Sequence, residues 1–390
     1  MSKIDFMSLK TIDFCDDVRD GTHDSPKHLD SGKLLITSKN IKGDSIDFEN
    51  ASYISEEDYN KINERSLVEI NDVLYSMIGT VGLVYRVDQQ PNYAIKNMGL
   101  FKIHDELKSK WLYYYLNSPK AKGKVLAMLS GSTQKFISLS NLRNLEIEFP
   151  QNIDDTKRII KICESIDKKI KLNNEINNSL YEMCNVLYYQ LLDDNELNIE
   201  YKTIGEIAKK VITGKTPSTK NKEYWGGNIP FITIPDMHNQ VFTINTERYI
   251  TNEGAKSLIP KNSISVSCIA TVGLVSINDK DSQTNQQINS IVIENDYDLY
   301  YLFEFLTEQE QYMKSIAGGS TTYNINKNTF ENIQVPYLNK ELIIEYDKKV
   351  RPMFEKIKSN QISNDILSQL RDTLLSKLMN GEIDLDNIEI

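Results

Sequence analysis

The chain has 390 residues, enough at about 150 per domain for two or three folded units, each with its own core. A hydrophobic fraction of 40% and a charged fraction of 26% argue against a disordered or fibrous chain. The net charge of −10 argues against a protein that coats nucleic acid nonspecifically, but it allows a reader whose basic groups are local.

No apolar run approaches the roughly 18 residues of a membrane span, and the N-terminal MSKIDFMSLK lacks a signal-peptide core. A soluble, cytoplasmic protein with no membrane partner is expected. Cys15, Cys163, Cys184 and Cys268 form no CxxC pair, and His23, His28, His104 and His238 are scattered, so neither a disulfide framework nor a metal site is expected.

In chain order, 1–150 reads as a compact α/β or α+β domain, with a β-rich run at DVLYSMI (72–78) and a helical pattern around 109–129. After Pro150 a helix is expected across 154–192. Its apolar stripe is Ile159, Ile162, Ile166, Ile170, Ile176, Leu180, Met183, Leu187 and Leu191, with Asn173 filling one gap. Residues 196–338 repeat the mixed pattern, with strands in SISVSCI (263–269) and SIVIE (290–294) and helix around 299–316. A second helix is expected over 341–385, striped by Ile343, Tyr346, Val350, Phe354, Ile357, Leu367, Leu370, Leu374 and Leu378. Asn360 and Asn364 interrupt that stripe, Gly381 reads as its stop, and Pro352 is expected to kink or break it. Asn173, Asn360 and Asn364 are candidate register-setting residues, since a polar residue in an apolar seam fixes alignment. Each helix is about 40 residues, or roughly 60 Å, and needs a partner stripe, so the two are expected to pack on each other. The expected order is a domain at 1–150, helix at 151–195, domain at 196–338 and helix at 339–385.

The chain also repeats itself. IGTVGLV (78–84) returns as IATVGLV (269–275), LITSKNI (35–41) as FITIPDM (231–237), and YISEE (53–57) as YITNE (249–253). WLYYYL (111–116) is matched in pattern by YLFEFL (301–306), and GSTQKFISLSNLRNLEI (131–147) by GSTTYNINKNTFENIQV (319–335). The anchors keep their order at offsets of 188 to 196, which describes a tandem duplication of one unit.

Few motifs carry chemistry. ITGKT (212–216) lacks the earlier glycine of a phosphate-binding loop, because Lys209 stands there, and the plainer reading is a turn ending a strand. The same stretch continues as GKTPSTKNKEYWGG (214–227), a basic, hydroxyl-rich loop flanked by aromatics that could contact a nucleic-acid backbone, with a solvated loop as the plainer reading. KAKGK (120–124), with Lys108, Lys110 and Lys135, is a second basic cluster whose plainer reading is a solvated helix face. The GST loops offer uncharged donors and acceptors, and NQQIN (285–289) offers carboxamides that can pair with adenine. As isolated features, their plainer reading is a polar turn. Cys15 with His23, or Cys268 with His238, would be a nucleophile–base pair that the other copy does not repeat. HExxH, GxSxG and NPPY or DPPY strings are absent from the sequence, as is a glycine-rich nucleotide fingerprint.

This layout resembles the specificity subunits of type I restriction–modification systems along nearly its whole length. The resemblance is carried by SIDKKIKLNNEINNSL (165–180), LRDTLLSKLMNGEIDL (370–385), the TVGLV pair, the GST loops and the GKTPST…YWGGNIPFITIPD run (214–236). The first copy departs from it, with DGTHDSPKH (20–28) in place of the TGKTPST loop. The resemblance implies two target-recognition domains joined by two long antiparallel coiled-coil helices with pseudo-twofold symmetry. Each domain would read half of a bipartite double-stranded DNA site, and the helices would act as the ruler between them. It also implies a non-catalytic chain that binds no cofactor. Two modification methyltransferase subunits would supply S-adenosylmethionine, and restriction subunits would add ATP- and Mg2+-dependent translocation and cleavage.

Carried onto the matching positions, DNA contacts are expected in the first copy from Thr22, His23, Lys39, Thr80, Ser132, Thr133, Gln134 and Lys135. In the second copy they are expected from Lys215, Thr216, Ser218, Thr219, Lys220, Thr271, Gln286, Gln287, Ser320, Thr321, Thr322 and Tyr323. The rival readings are a duplicated coiled-coil adaptor that binds proteins without DNA specificity, and an enzyme with an unrecognised site.

Overall fold

The structure is a computed structural model that describes residues 4–43, 45–131, 135–238, 240–318, 323–379 and 382. The chain divides into two compact units, Met1–Lys168 with Leu367–Ile390, and Lys169–Ile366. Each combines largely antiparallel sheets with packed helices, an α+β architecture.

In the first unit, Phe6–Lys10 pairs antiparallel with Glu146–Pro150, which closes the ends of the globular part on each other. A four-stranded sheet runs in the order Asp17–Asp20, Met98–Lys102, Val73–Ser76, Val84–Arg86. A three-stranded sheet holds Ser52–Ile54, Lys33–Ile36 and Tyr93–Ile95, the last two parallel. Val73, Leu74 and Tyr75 are all buried, the mark of a strand covered on both faces. The helical patch expected around 109–129 is two helices, Glu106–Asn117 and Pro119–Met128. They part at Ser118, whose hydroxyl caps the second at Ala121 N, with Pro119 at its first position. Trp111 is fully buried, donates to Glu148 O at 2.8 Å and meets Phe149 edge-on at 5.8 Å.

The second unit repeats this plan. Glu200–Thr203 pairs with Gln334–Tyr337. A five-stranded sheet runs Ala208–Thr213, Ile288–Ile293, Ile264–Ser267, Val275–Asn278, Phe242–Thr243. A four-stranded sheet runs Arg248–Ile250, Trp225–Ile232, Ser282–Thr284, Leu258–Ile259, and its middle pair is parallel, as in the first unit. The helical patch around 299–316 is again two helices, Asp298–Thr307 and Glu310–Ile316.

The long helices span Ile153–Asp194 and Lys340–Met379. The second continues unbroken through Pro352, because Val350 and Phe354 on either side are buried and Phe354 stacks on Tyr300 at 4.3 Å. Tertiary packing there outweighs the hydrogen bond that proline removes. Gly381, the expected stop, lies outside the described residues.

Within the second unit the two helices run antiparallel. Asn173 Nδ2 donates to Asn364 Oδ1 at 2.8 Å, Asn364 Nδ2 to Asn174 Oδ1 at 2.7 Å, and Asn360 Nδ2 to Asn177 Oδ1 at 2.8 Å. Beyond Asn173 the buried face is one position out of step with the expected stripe. Asn177, Cys184 and Tyr188 are inside, while Met183 is 52% exposed. On the second helix Leu370 is likewise exposed and Leu375 buried. A straight helix drifts by about 20° per heptad from a 3.5-residue repeat, so the apolar positions need not stay on the seam. Within the first unit, Arg371 of the second helix bonds Asp167 of the first at 2.7 Å, and Tyr114 OH donates to the same carboxylate at 2.8 Å.

Candidate nucleic-acid interface

In the second unit the expected contact residues fall on three adjoining turns. Gly214 ends its strand by donating its N–H to Ile288 O at 3.1 Å, and Lys215 N donates to Thr284 O at 2.9 Å. The loop is thereby tied into a sheet and opens no helix, so the phosphate-loop reading of ITGKT fails on geometry. Gln283 Nε2 donates to Lys215 O at 2.7 Å, and Thr216 Oγ1 to Gln286 Oε1 at 2.6 Å, so the TGKTPST loop and the NQQIN turn are one surface. Lys215, Thr216, Ser218, Thr219, Lys220 and Gln286 are exposed and Gln287 is half-buried. Glycine is required here, since a Cβ on Gly214 would lie 2.1 Å from Asn285 O.

The third turn is ATVGLV. Ser267 Oγ accepts from Leu274 N at 2.9 Å, and Gly273 takes a φ of 100°, which presents Thr271 in an exposed tip. Cys268 N donates to Gln287 O at 2.8 Å and Ala270 N to Tyr323 O at 3.0 Å, joining this turn to the NQQIN turn and to Tyr323, which is 50% exposed. Ser320, Thr321 and Thr322 lie outside the described residues.

One of the aromatics flanking the loop, Trp225, is held by a residue that no sequence motif marked. Arg248 stacks on Trp225 at 3.5 Å, and Trp225 Nε1 donates back to Ser218 O at 3.2 Å. No local motif marks Arg248; it reaches Trp225 because its strand pairs with Trp225–Ile232.

The first unit builds the same surface from different residues. Gly21 N donates to Met98 O at 2.8 Å and Thr22 N to Ile95 O at 3.0 Å, and a Cβ on Gly21 would sit 2.3 Å from Ile95 O. Despite its departing sequence, DGTHDSPKH makes the backbone approach that TGKTPST makes. His23 Nδ1 lies 2.9 Å from Asn97 Oδ1 and Nε2 2.9 Å from Asp20 Oδ2. Lys96 Nζ donates to Ser25 Oγ at 2.6 Å. Ser76 Oγ accepts from Leu83 N at 2.8 Å and donates to Thr80 O at 2.6 Å, repeating the turn around Ser267 with Thr80 exposed. Lys39 is exposed in the short 3-10 turn Ser38–Asn40, and Lys135 is exposed beside the strand-like pairing of Ile78 with Phe136. Ser132, Thr133 and Gln134 lie outside the described residues.

Three lysines of the KAKGK cluster are paired within their own unit. Lys120 and Lys124 meet Glu148 at 2.6 and 3.6 Å, and Lys110 lies 2.8 Å from both Glu106 and Glu164. All four cysteines are free and buried, and burial pushes the Cys268 thiol up to about 11. Such thiols do not suit a nucleophile at neutral pH. Among the described residues no group of three or more His, Cys, Asp or Glu side chains could hold a metal, and no helix is long and apolar enough to cross a membrane.

Comparison with known proteins accords with this geometry. The chain is 47% identical over 191 residues to the HindI specificity subunit of Haemophilus influenzae, covering 47% of this chain and 41% of that protein. It is 36% identical over 179 residues to the MjaIX specificity subunit of Methanocaldococcus jannaschii, covering 40% of each. The aligned stretch thus spans about two fifths of the length of these relatives. The fold matches the type I restriction–modification S subunit from M. genitalium at a TM-score of 0.54 and 18% identity, over 97% of both chains. The family profile of the type I restriction modification DNA specificity domain matches twice, at residues 24–182 and 196–377, and the chain belongs to that family.

Proposed function

We propose that the chain is the DNA-specificity subunit of a type I restriction–modification complex, reading a bipartite double-stranded site with one target-recognition domain per half. The observation that carries this reading is the duplicated polar surface, in which a glycine-anchored loop is latched to a turn preceding the equivalent strand. Thr216 meets Gln286 in one unit, and His23 meets Asn97 in the other. Uncharged donors and acceptors held on rigid backbone suit base edges, while the neighbouring lysines suit phosphates. The recognition domains are assigned to 1–150 and 196–338, and the helical regions to 151–195 and 339–385.

Modification methyltransferase subunits, two per chain, are the proposed protein partners, with restriction subunits as a further addition. Exposed apolar side chains on the first long helix, Leu172, Met183 and Val186, support a protein partner there. The chain itself binds no cofactor in this reading. Its partners bring S-adenosylmethionine, ATP and Mg2+, and the complex works in the cytoplasm. The Asn173–Asn364 and Asn177–Asn360 pairs fix the register of the helices.

Reconstitution with the cognate methyltransferase, S-adenosylmethionine and a randomised DNA library tests the proposal. Methylation confined to one split motif, with none from the chain alone, is the expected result. Methylation by the isolated chain, or methylation by the complex without sequence preference, would overturn it.

A further inference from the structure

The turn before the strand Met98–Lys102 stands where Gln286 and Gln287 stand before Ile288–Ile293. Both strands accept a hydrogen bond from a glycine N–H on the facing loop, Gly21 to Met98 O and Gly214 to Ile288 O. In both units the residue two after that glycine bonds a carboxamide of the turn, Thr216 to Gln286 and His23 to Asn97. Shared backbone geometry combined with different side chains is what a duplicated reader of two different half-sites requires.

Asn97 is anchored through its backbone N–H and through one end of its carboxamide. Its N–H donates to Thr22 O at 3.1 Å, its backbone sits at a φ of 55°, and its Oδ1 faces the His23 ring. That ring is braced from behind by Asp20, which is 4% exposed and also bound by Arg65. The outer end of the carboxamide is left to meet a ligand, on a half-buried side chain that the His23 contact keeps from swinging far. We infer that Asn97 is a specificity-determining residue of the first recognition domain, its carboxamide hydrogen-bonding to a base edge, with His23 as its positioning residue. The inference rests on the DNA-reading function proposed above.

The test uses the whole complex with its methyltransferase and maps methylated sites across a genome. Asn97→Gly removes the amide and keeps the left-handed backbone that alanine would strain. Asn97→Asp keeps the shape but only accepts. Asn97→Gly is expected to relax discrimination at one base position of one half-site by roughly 5- to 150-fold and leave the other half-site intact. Asn97→Asp, which can only accept, is expected to restrict that position to a donating base such as cytosine, a change that a merely structural role would not produce. If the wild-type complex methylates a defined motif and both variants methylate the same motif, Asn97 is not a reader. If both half-sites lose recognition together, it is a structural residue. A wild-type complex without any motif would overturn the DNA-reading function itself.

Discussion

The two units share their strand order, their glycine-anchored loops and their serine-pinned TVGLV turns, yet they treat one helix position in opposite ways. Tyr114 and Glu304 are equivalent in the WLYYYL and YLFEFL segments. Tyr114 joins a network in which its hydroxyl and Arg371 both reach Asp167. Glu304 is fully buried, and among the described residues neither of its oxygens meets a hydrogen-bond partner. The nearby amide of Asn185 donates to Glu308 instead, at 3.1 Å. Burial pushes the Glu304 carboxyl up to about 8, and the nearby Glu308 carboxylate adds to the shift. Duplication thus preserved the backbone plan and left the polar interior of each unit to be satisfied separately.

Several substitutions break or sharpen this comparison. The largest effect is expected from Phe354→Ala, which removes a fully buried ring stacked on Tyr300 and should destabilise the second unit by about 3–5 kcal/mol in denaturant unfolding. Next is Glu304→Gln. A folded-state pKa above the ordinary 4.5 means that Glu304 favours folding relative to neutral pH only while protonated. Stability is therefore full below about pH 4.5 and falls as pH rises toward 8, at about 1.4 kcal/mol per unit. The glutamine variant should lose that slope and be more stable by roughly 3 kcal/mol at pH 7, measured as a pH series of melting curves. An unchanged slope would show that Glu304 is solvated or paired.

Arg371→Ala should cost about 2 kcal/mol by leaving Asp167, at 26% side-chain exposure, without its guanidinium partner and held by the Tyr114 hydroxyl. Gly214→Ala and Gly21→Ala are each expected to cost about 1–3 kcal/mol, because the new methyl meets a backbone oxygen, and each should disturb only its own half-site. Asn360→Ala is the smallest change, about 1–2 kcal/mol for leaving the Asn177 amide unpaired in the seam.

The duplication and the long helices were legible in the sequence, because they rest on repeated segments and on apolar spacing that both copies keep. Other features hide from that kind of reading. Asn97 falls in YAIKNM, whose counterpart QTNQQI looks unrelated until strand pairing aligns the two. Arg248 meets Trp225 across a sheet. Asn177 and Cys184 lose to Ile176 and Met183 on hydrophobicity alone, yet the helix turns them inward. Glu304 sits inside an apolar helical pattern, where a lone acid reads as exposed. In each case the deciding contact is long-range, and no local window contains it.

The central claim is that each unit reads its own half-site through its own glycine-anchored surface. The most direct measurement is methylated-site mapping with the reconstituted complex carrying Thr216→Ala and Gln286→Ala, which removes the side-chain pair of the second unit and leaves Gly214 and the sheet in place. One half of the motif should become degenerate while the other half keeps its wild-type sequence. Equal loss in both halves, or an unchanged motif from a stable, active complex, would contradict the claim.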